Sequence, residues 1–397
     1  MTRAMRAVPE PDATTAPLDP DLTASVTAAL GRVVDPEIRR PIAELDMIES
    51  VRVEPDGAAS IAIRLTIVGC PAATAIENDV REAAGSVPGV TGVTVDVGVM
   101  TPAQRRALTD RLRGGRATRA MPFGPGTLTR VYAITSGKGG VGKSTVTANL
   151  AVELASRGLA VGIVDADVHG FSIPGILGLV DDHGLAPRPT RVDDMILPPV
   201  SYGVKVISIG MFVEDPQTAV SWRGPMLHRT ITQFLTDVYF GDLDVLLLDL
   251  PPGTGDVAIS LGQLLPNAEV IVVTTPQAAA ADVAERSALV ARQTGQRVIG
   301  VVENMAGLAQ PDGSILPLFG TGGGAEVARR LSAADDAVPL LASIPLSIAL
   351  REGGDEGTPV VLTRPDDAAA RAIRVVADAI RARGIGLAGR KLGLSPV

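Results

Sequence analysis

Apolar residues along this chain follow two rhythms. Up to about residue 100 they recur in short blocks at helical or alternating spacing; from Arg130 onward they form near-continuous runs. In the first part the spacing predicts a helix from Asp21, capped by Asp21 or Thr23, with Val26, Leu30 and Val33 as its apolar stripe. Two alternating runs, Met47–Val53 and Ala59–Val68, flank the turn Pro55-Asp56-Gly57 and predict a hairpin. A second helix is expected over Ala72–Ala84 and a third strand over Val90–Val97, so residues 21–104 read as a small α+β domain. Residues 1–20, rich in Pro, Ala, Thr and Asp, read as a disordered leader. Residues 105–128 combine many arginines with Gly and Pro, the mark of a short helix followed by a solvated linker.

In the second part the runs Val131–Thr135, Ala160–Val164, Val204–Ile209, Asp244–Leu248, Val270–Thr274, Val298–Val302 and Leu340–Ile344 are separated by amphipathic stretches. Strands that are apolar on both faces and alternate with helices predict an α/β fold with a mostly parallel, doubly wound sheet over residues 129–385. Ligands of such sheets lie at the carboxyl ends of the strands. A Gly-rich flexible tail, residues 386–397, follows.

Composition narrows the classes. The chain has 397 residues, 46% of them hydrophobic and 3% aromatic, and a formal charge of −8. That balance argues against a nucleic-acid footprint and gives no attraction to an anionic membrane. No run reaches membrane-span length, and the N-terminus lacks the apolar core of a secretory signal, so a cytoplasmic location is expected. The single cysteine, Cys70, rules out an internal disulfide framework. His169, His183 and His228 lack metal-ligand spacing. Only four lysines occur, Lys138, Lys143, Lys205 and Lys391, and two of them share one Gly-rich loop.

That loop is Ser136-Gly137-Lys138-Gly139-Gly140-Val141-Gly142-Lys143-Ser144-Thr145, between a predicted strand and the helix Thr147–Ser156. It satisfies the phosphate-binding pattern in its required strand–loop–helix context. Its glycines let backbone N–H groups curl around phosphate oxygens, and the helix N-terminus adds positive potential. Lys143 is expected to reach the β- and γ-phosphates of ATP and Ser144 to ligate Mg²⁺. Asp249 ends the apolar run 244–248 and is expected to hold Mg²⁺, directly or through water. Pro251–Asp256 follows as a switch-like loop. Asp165 and Asp167 end the strand before it, as a chemical pair or as a cap or Asx turn. Trp222-Arg223-Gly224-Pro225 reads equally as an effector surface or a helix start.

The second lysine, Lys138, gives this loop a K-G-G-x-G-K-[ST] form that resembles the deviant P-loop ATPases, including the MinD/ParA, nitrogenase iron-protein and Mrp/ApbC groups. The resemblance implies that Lys138 reaches across a homodimer to the partner's phosphates, that Asp167 positions the attacking water with Asp165 in outer support of Mg²⁺, and that Asn304 contacts the adenine edge. VDADVHGFSIP (164–174), WRGPM (222–226), DLPPGTGD (249–256), ENM (303–305) and FGTGGG (319–324) narrow it to the Mrp/ApbC iron–sulfur cluster carriers. Asp35-Pro36-Glu37 and Leu65-Thr66 with Gly69-Cys70-Pro71 resemble the iron–sulfur assembly domain that precedes the ATPase in many of them. The implied function is a homodimer that slowly hydrolyses ATP and passes Fe–S clusters to apo client proteins.

One departure stands out. Many members of that family carry a C-x-x-C between the ENM and FG-x-GGG motifs, but here residues 306–314 contain no cysteine; Gln310 and Gly313 stand about where the thiols belong. The bridging cluster of those relatives therefore cannot form in the same way. Cys70 remains, either as a small buried hydrophobe or as a thiolate whose pKa the following helix lowers, which would make it a ligand for a transient cluster. A chaperone-like adaptor that holds no cluster is the alternative function, and a MinD- or ParA-like positioning dimer a third.

Overall fold

A computed structural model describes residues 20–114, 121–124, 126–168, 170–213, 224–310, 312, 314–334 and 336–383. The leader to residue 19, residues 115–120 of the linker, His169, Trp222, Arg223, Gly313 and the tail from 384 lie outside the described residues. The chain divides into two compact units between Arg111 and Leu112.

In the first unit, helix α1 (Pro20–Leu30) precedes strands β1 (Ile48–Val53) and β2 (Ala58–Leu65), which pair antiparallel. Their turn is closed by Asp56, whose Oδ1 accepts from Ala58 N at 3.0 Å. Helix α2 (Ala73–Gly85) then crosses to β3 (Gly92–Val99), which lies parallel to β2. The alternation in β2 buries Ala59, Ile61, Ile63 and Leu65, and the helices add Val26, Leu30, Ile76, Val80 and Ala84 to the same core.

Helix α3 (Pro102–Arg113) leads into the arginine-rich segment. A reciprocal capping box sets its start. Thr101 N donates to Gln104 Oε1 at 2.8 Å, and Gln104 N donates to Thr101 Oγ1 at 3.3 Å. Arg111 is not simply solvated, because it donates to the Glu44 carbonyl at 2.7 Å and pairs with Asp46.

The second unit holds the doubly wound sheet. Its strands are β4 (Arg130–Ser136), β5 (Val161–Asp165), a small hairpin of β6 (Thr190–Val192) and β7 (Met195–Leu197), β8 (Val200–Ser201) and β9 (Val204–Ser208). β10 (Val245–Asp249), β11 (Glu269–Thr274), β12 (Arg297–Ala309), β13 (Ile315–Leu316) and β14 (Leu340–Leu346) follow. The spatial order is β13-β12-β11-β4-β10-β5-β9-β8, and β14 runs parallel to β12. Among the described residues only β8 and β13 join this sheet antiparallel, and β6 and β7 pair antiparallel as a separate two-stranded sheet. The chain leaves β4 toward β5 and later leaves β10 in the opposite direction, toward β11. The resulting switch point lies at the carboxyl ends of β4, β10 and β5.

Helices cover the sheet: α4 (Lys143–Ser156), the short α5 (Ile173–Ile176), α6 (Gly224–Thr236), α7 (Asp256–Leu264) and α8 (Ala278–Gln293). α9 (Gly323–Leu331), α10 (Ile348–Glu356), the short α11 (Val360–Thr363) and α12 (Ala368–Ala382) complete the unit. Every residue of β5, β9 and β10 is buried, which is why these strands read as unbroken apolar runs. Glu303-Asn304-Met305 lies inside β12 and does not end it. The strand continues past a break in its register with β14 between Asn304 and Leu308, and its last two residues pair with β13.

Candidate functional site

The switch point is built from three strand ends. β4 runs into the phosphate-binding loop, β10 ends at Asp249, and β5 ends at Asp165, which stands beside Asp249 in the parallel register. Gly142 caps α4 with a φ of 79°, the left-handed region that admits glycine without strain. Gly137 is required by close approach, since a Cβ there would lie 2.3 Å from backbone atoms of Val283 and Ala284 in α8.

Three polar side chains converge on Asp249, which is fully buried. Lys143 Nζ lies 2.7 Å from its Oδ2, and Ser144 Oγ lies 2.6 Å from the same oxygen. Thr147 Oγ1, one helical turn beyond Lys143, lies 2.8 Å from Oδ1. Asp165 flanks the cluster. Burial, and then the Asp249 carboxylate, push its pKa well above the usual carboxylate range. Hydrogen bonds from Ser208 Oγ at 2.9 Å and Asp167 N at 3.2 Å act in the other direction. The oxygen donors of Ser144 and Asp249 suit a hard divalent cation.

Asp167 is 7% exposed and accepts from Gly170 N through Oδ1 at 3.1 Å, which is the turn geometry open to it. Lys138 is half-buried and makes no ion pair with a described residue; the Ser136 hydroxyl donates to its carbonyl at 3.0 Å. The loop Pro251–Gly255 is tied back to β4, because Gly253 N donates to the Ser136 carbonyl at 2.8 Å. Asn304 is buried beside the loop, its Nδ2 donating to the Val141 carbonyl at 2.9 Å. A cavity of about 570 Å³ opens there, with Gly142, Thr145, Asn304 and Met305 on one wall and Phe171 and Leu346 among its apolar lining. Sequence reasoning missed Thr147, Ser208 and Glu303. For Thr147, its position four residues after Lys143 on one helix face was an available signal.

Of the two readings of Cys70, the structure favours the small buried residue. It lies before α2, but it is 7% exposed, and its Sγ sits 3.7 Å from Glu37 Oε2. Burial pushes the thiol pKa from 9.0 up to about 11. The Ala72 N–H lowers it, and the Glu37 and Asp35 carboxylates raise it further. The expected thiolate is therefore not favoured: desolvation and two acids outweigh one backbone donor at the helix start.

Both units match known protein families. A family model described as NUBPL iron-transfer P-loop NTPase matches residues 127–381, and one described as iron-sulfur cluster assembly protein matches residues 23–97. The iron–sulfur cluster carrier protein of Mycobacterium tuberculosis is 56% identical over 380 residues, covering 95% of this chain and 98% of the relative. That of Bacillus subtilis is 37% identical over 323 residues, covering 81% and 87%. Among solved structures, a nucleotide-binding protein of Archaeoglobus fulgidus in complex with ADP matches with a TM-score of 0.50 and 38% identity, covering 60% of this chain and 89% of that one.

Proposed function

Because this chain belongs to the iron-transfer P-loop NTPases, the family of the iron–sulfur cluster carrier proteins, we propose that its nucleotide site gates cluster transfer through ATP hydrolysis between two copies. It is an iron–sulfur cluster carrier with a P-loop nucleotide site, and the cluster is its cargo. The observation that carries the mechanism is the convergence of Lys143, Ser144 and Thr147 on the buried carboxylate of Asp249.

On ATP binding, the loop amides of residues 137–145 take the phosphate oxygens, and Lys143 exchanges Asp249 for the β- and γ-phosphates. Mg²⁺, held by Ser144 and Asp249, would neutralise charge on the phosphates. Asp167 leaves its turn contact with Gly170 and orients the attacking water, while Asp165 supports Asp249 from the neighbouring strand end. Water adds to the γ-phosphorus, the bond to the β-phosphate oxygen breaks, and ADP and phosphate leave. Lys138 projects from the same loop toward a second copy and supplies the remaining positive charge to its phosphates. The loop Pro251–Asp256, tied to β4, reports the loss of the γ-phosphate.

The cargo is held only in passing. Cys70, the one cysteine of the chain, is buried with its thiol held neutral, and two copies would offer only two such thiols against the four that common clusters use, so client or small-molecule thiols supply most of the ligand set. The protein works in the cytoplasm; no helix among the described residues is long and apolar enough to cross a membrane.

Mixing two inactive variants tests the shared site. Lys138→Ala keeps an intact loop but has no charge to lend, and Lys143→Ala lends Lys138 but has a broken loop. An equal mixture should recover about a quarter of wild-type turnover, because half the dimers are mixed and each has one complete site. No recovery, or full activity of Lys138→Ala alone, refutes the trans role.

A further inference from the structure

The neighbouring side chains of Glu303 and Asn304 tie β12 in two directions. Glu303 is buried and accepts from Gly324 N in the first turn of α9 at 2.8 Å and from Ser343 Oγ of β14 at 3.0 Å. Asn304, 4% exposed, donates from Nδ2 to the carbonyl of Val141 across 163 residues of sequence. The fit is close, because a Cβ on Gly142 would come within 2.3 Å of that nitrogen. Immediately afterward the strand gives up its regular geometry, with Met305 at a φ of 60° and the register with β14 broken. The Asn304 amide is thus held at a fixed place in the strand, and it grips the peptide that joins Val141 to Gly142.

In a trans peptide the C=O and the following N–H point in opposite directions. Fixing the Val141 carbonyl toward Asn304 therefore fixes the Gly142 N–H away from it, at the residue that caps α4. We propose that Asn304 is a positioning residue for the phosphate loop, holding the Val141–Gly142 peptide in the orientation that serves phosphate, whatever base the nucleotide carries. The proposal rests on the nucleotide reading above and departs from a role for Asn304 in recognising the adenine edge.

Two measurements on the full chain separate these roles. The first is calorimetric titration of ATP, GTP and inorganic tripolyphosphate, each with magnesium, into wild type and Asn304→Ala. A positioning role weakens all three by one common factor, between about twofold and tenfold, the equilibrium equivalent of one neutral hydrogen bond. A loss confined to ATP, or a gain in GTP affinity, overturns it.

The second is amide hydrogen exchange without ligand. Exchange over residues 139–147 should quicken in Asn304→Ala while α12 stays unchanged. Unchanged exchange in the loop overturns the proposal. Should the alanine variant not fold, Asn304→Ser, which shortens the side chain past reach of Val141, takes its place in both. A wild type that binds none of the three ligands, with a loop that still loosens in the variant, would sink the nucleotide reading and leave only the hold of Asn304 on the Val141–Gly142 peptide.

Discussion

Alkylation of Cys70 tests how the first unit treats its thiol. Burial pushes the Cys70 thiol from the ordinary 9.0 up to about 11, so at any pH well below 9 the folded chain carries on the order of a hundredfold less thiolate than an unfolded one. Iodoacetamide reacts with the thiolate, and the 7% exposure of the residue slows it further. Quenched time points analysed by mass spectrometry should give a folded-state rate that climbs about tenfold per pH unit with no plateau below pH 10. The urea-unfolded chain should level off near the ordinary thiol value. Stability follows the same sign. The fold favours the neutral thiol, so this contribution is intact below about pH 9 and is lost as pH rises toward about 11. The wild-type melting temperature should therefore fall across that window more than that of Cys70→Ala. An inflection below pH 8 in the folded chain would refute the reasoning, since it would require the helix start to outweigh burial and the Glu37 and Asp35 carboxylates.

Two further substitutions probe the nucleotide unit. Thr147→Val keeps the shape of a fully buried side chain but removes the hydroxyl next to Asp249 Oδ1, and should cost about 1.5–3 kcal/mol in urea unfolding, the worth of a hydrogen bond to a charged group; a cost below about 0.5 kcal/mol would show that Asp249 does not depend on it. Gly137→Ala drives a Cβ into the α8 backbone and should cost about 1–3 kcal/mol. Gly139→Ala, whose Cβ meets only Pro252 Cγ at 3.8 Å, should cost far less, and equal costs would contradict the close-approach argument.

Much of this fold was legible because its signals are local. The parallel sheet showed as unbroken apolar runs, since β5, β9 and β10 are buried on both faces. The phosphate loop showed as a strand, a Gly-rich turn and a helix in sequence. What stayed hidden depends on contacts between distant residues. Thr147 meets Asp249 across 102 residues and Ser208 meets Asp165 across 43, and neither pairing leaves a periodic trace. The continuation of β12 past Asn304 depends on β13 arriving to pair with its end, which no apolar pattern in residues 306–316 announces. Which of its two readings Cys70 follows depends on such contacts too. The helix start is visible in sequence, whereas the burial that overrides it comes from how the first unit closes around the thiol.

The most direct test of the central claim is calorimetry of magnesium and ATP with the full chain and with Lys143→Ala. Wild type should bind with measurable heat, and the variant should bind at least tenfold more weakly, because it lacks the ammonium proposed to turn from Asp249 to the phosphates. Equal affinity in the two proteins, or no heat with either, would contradict the account.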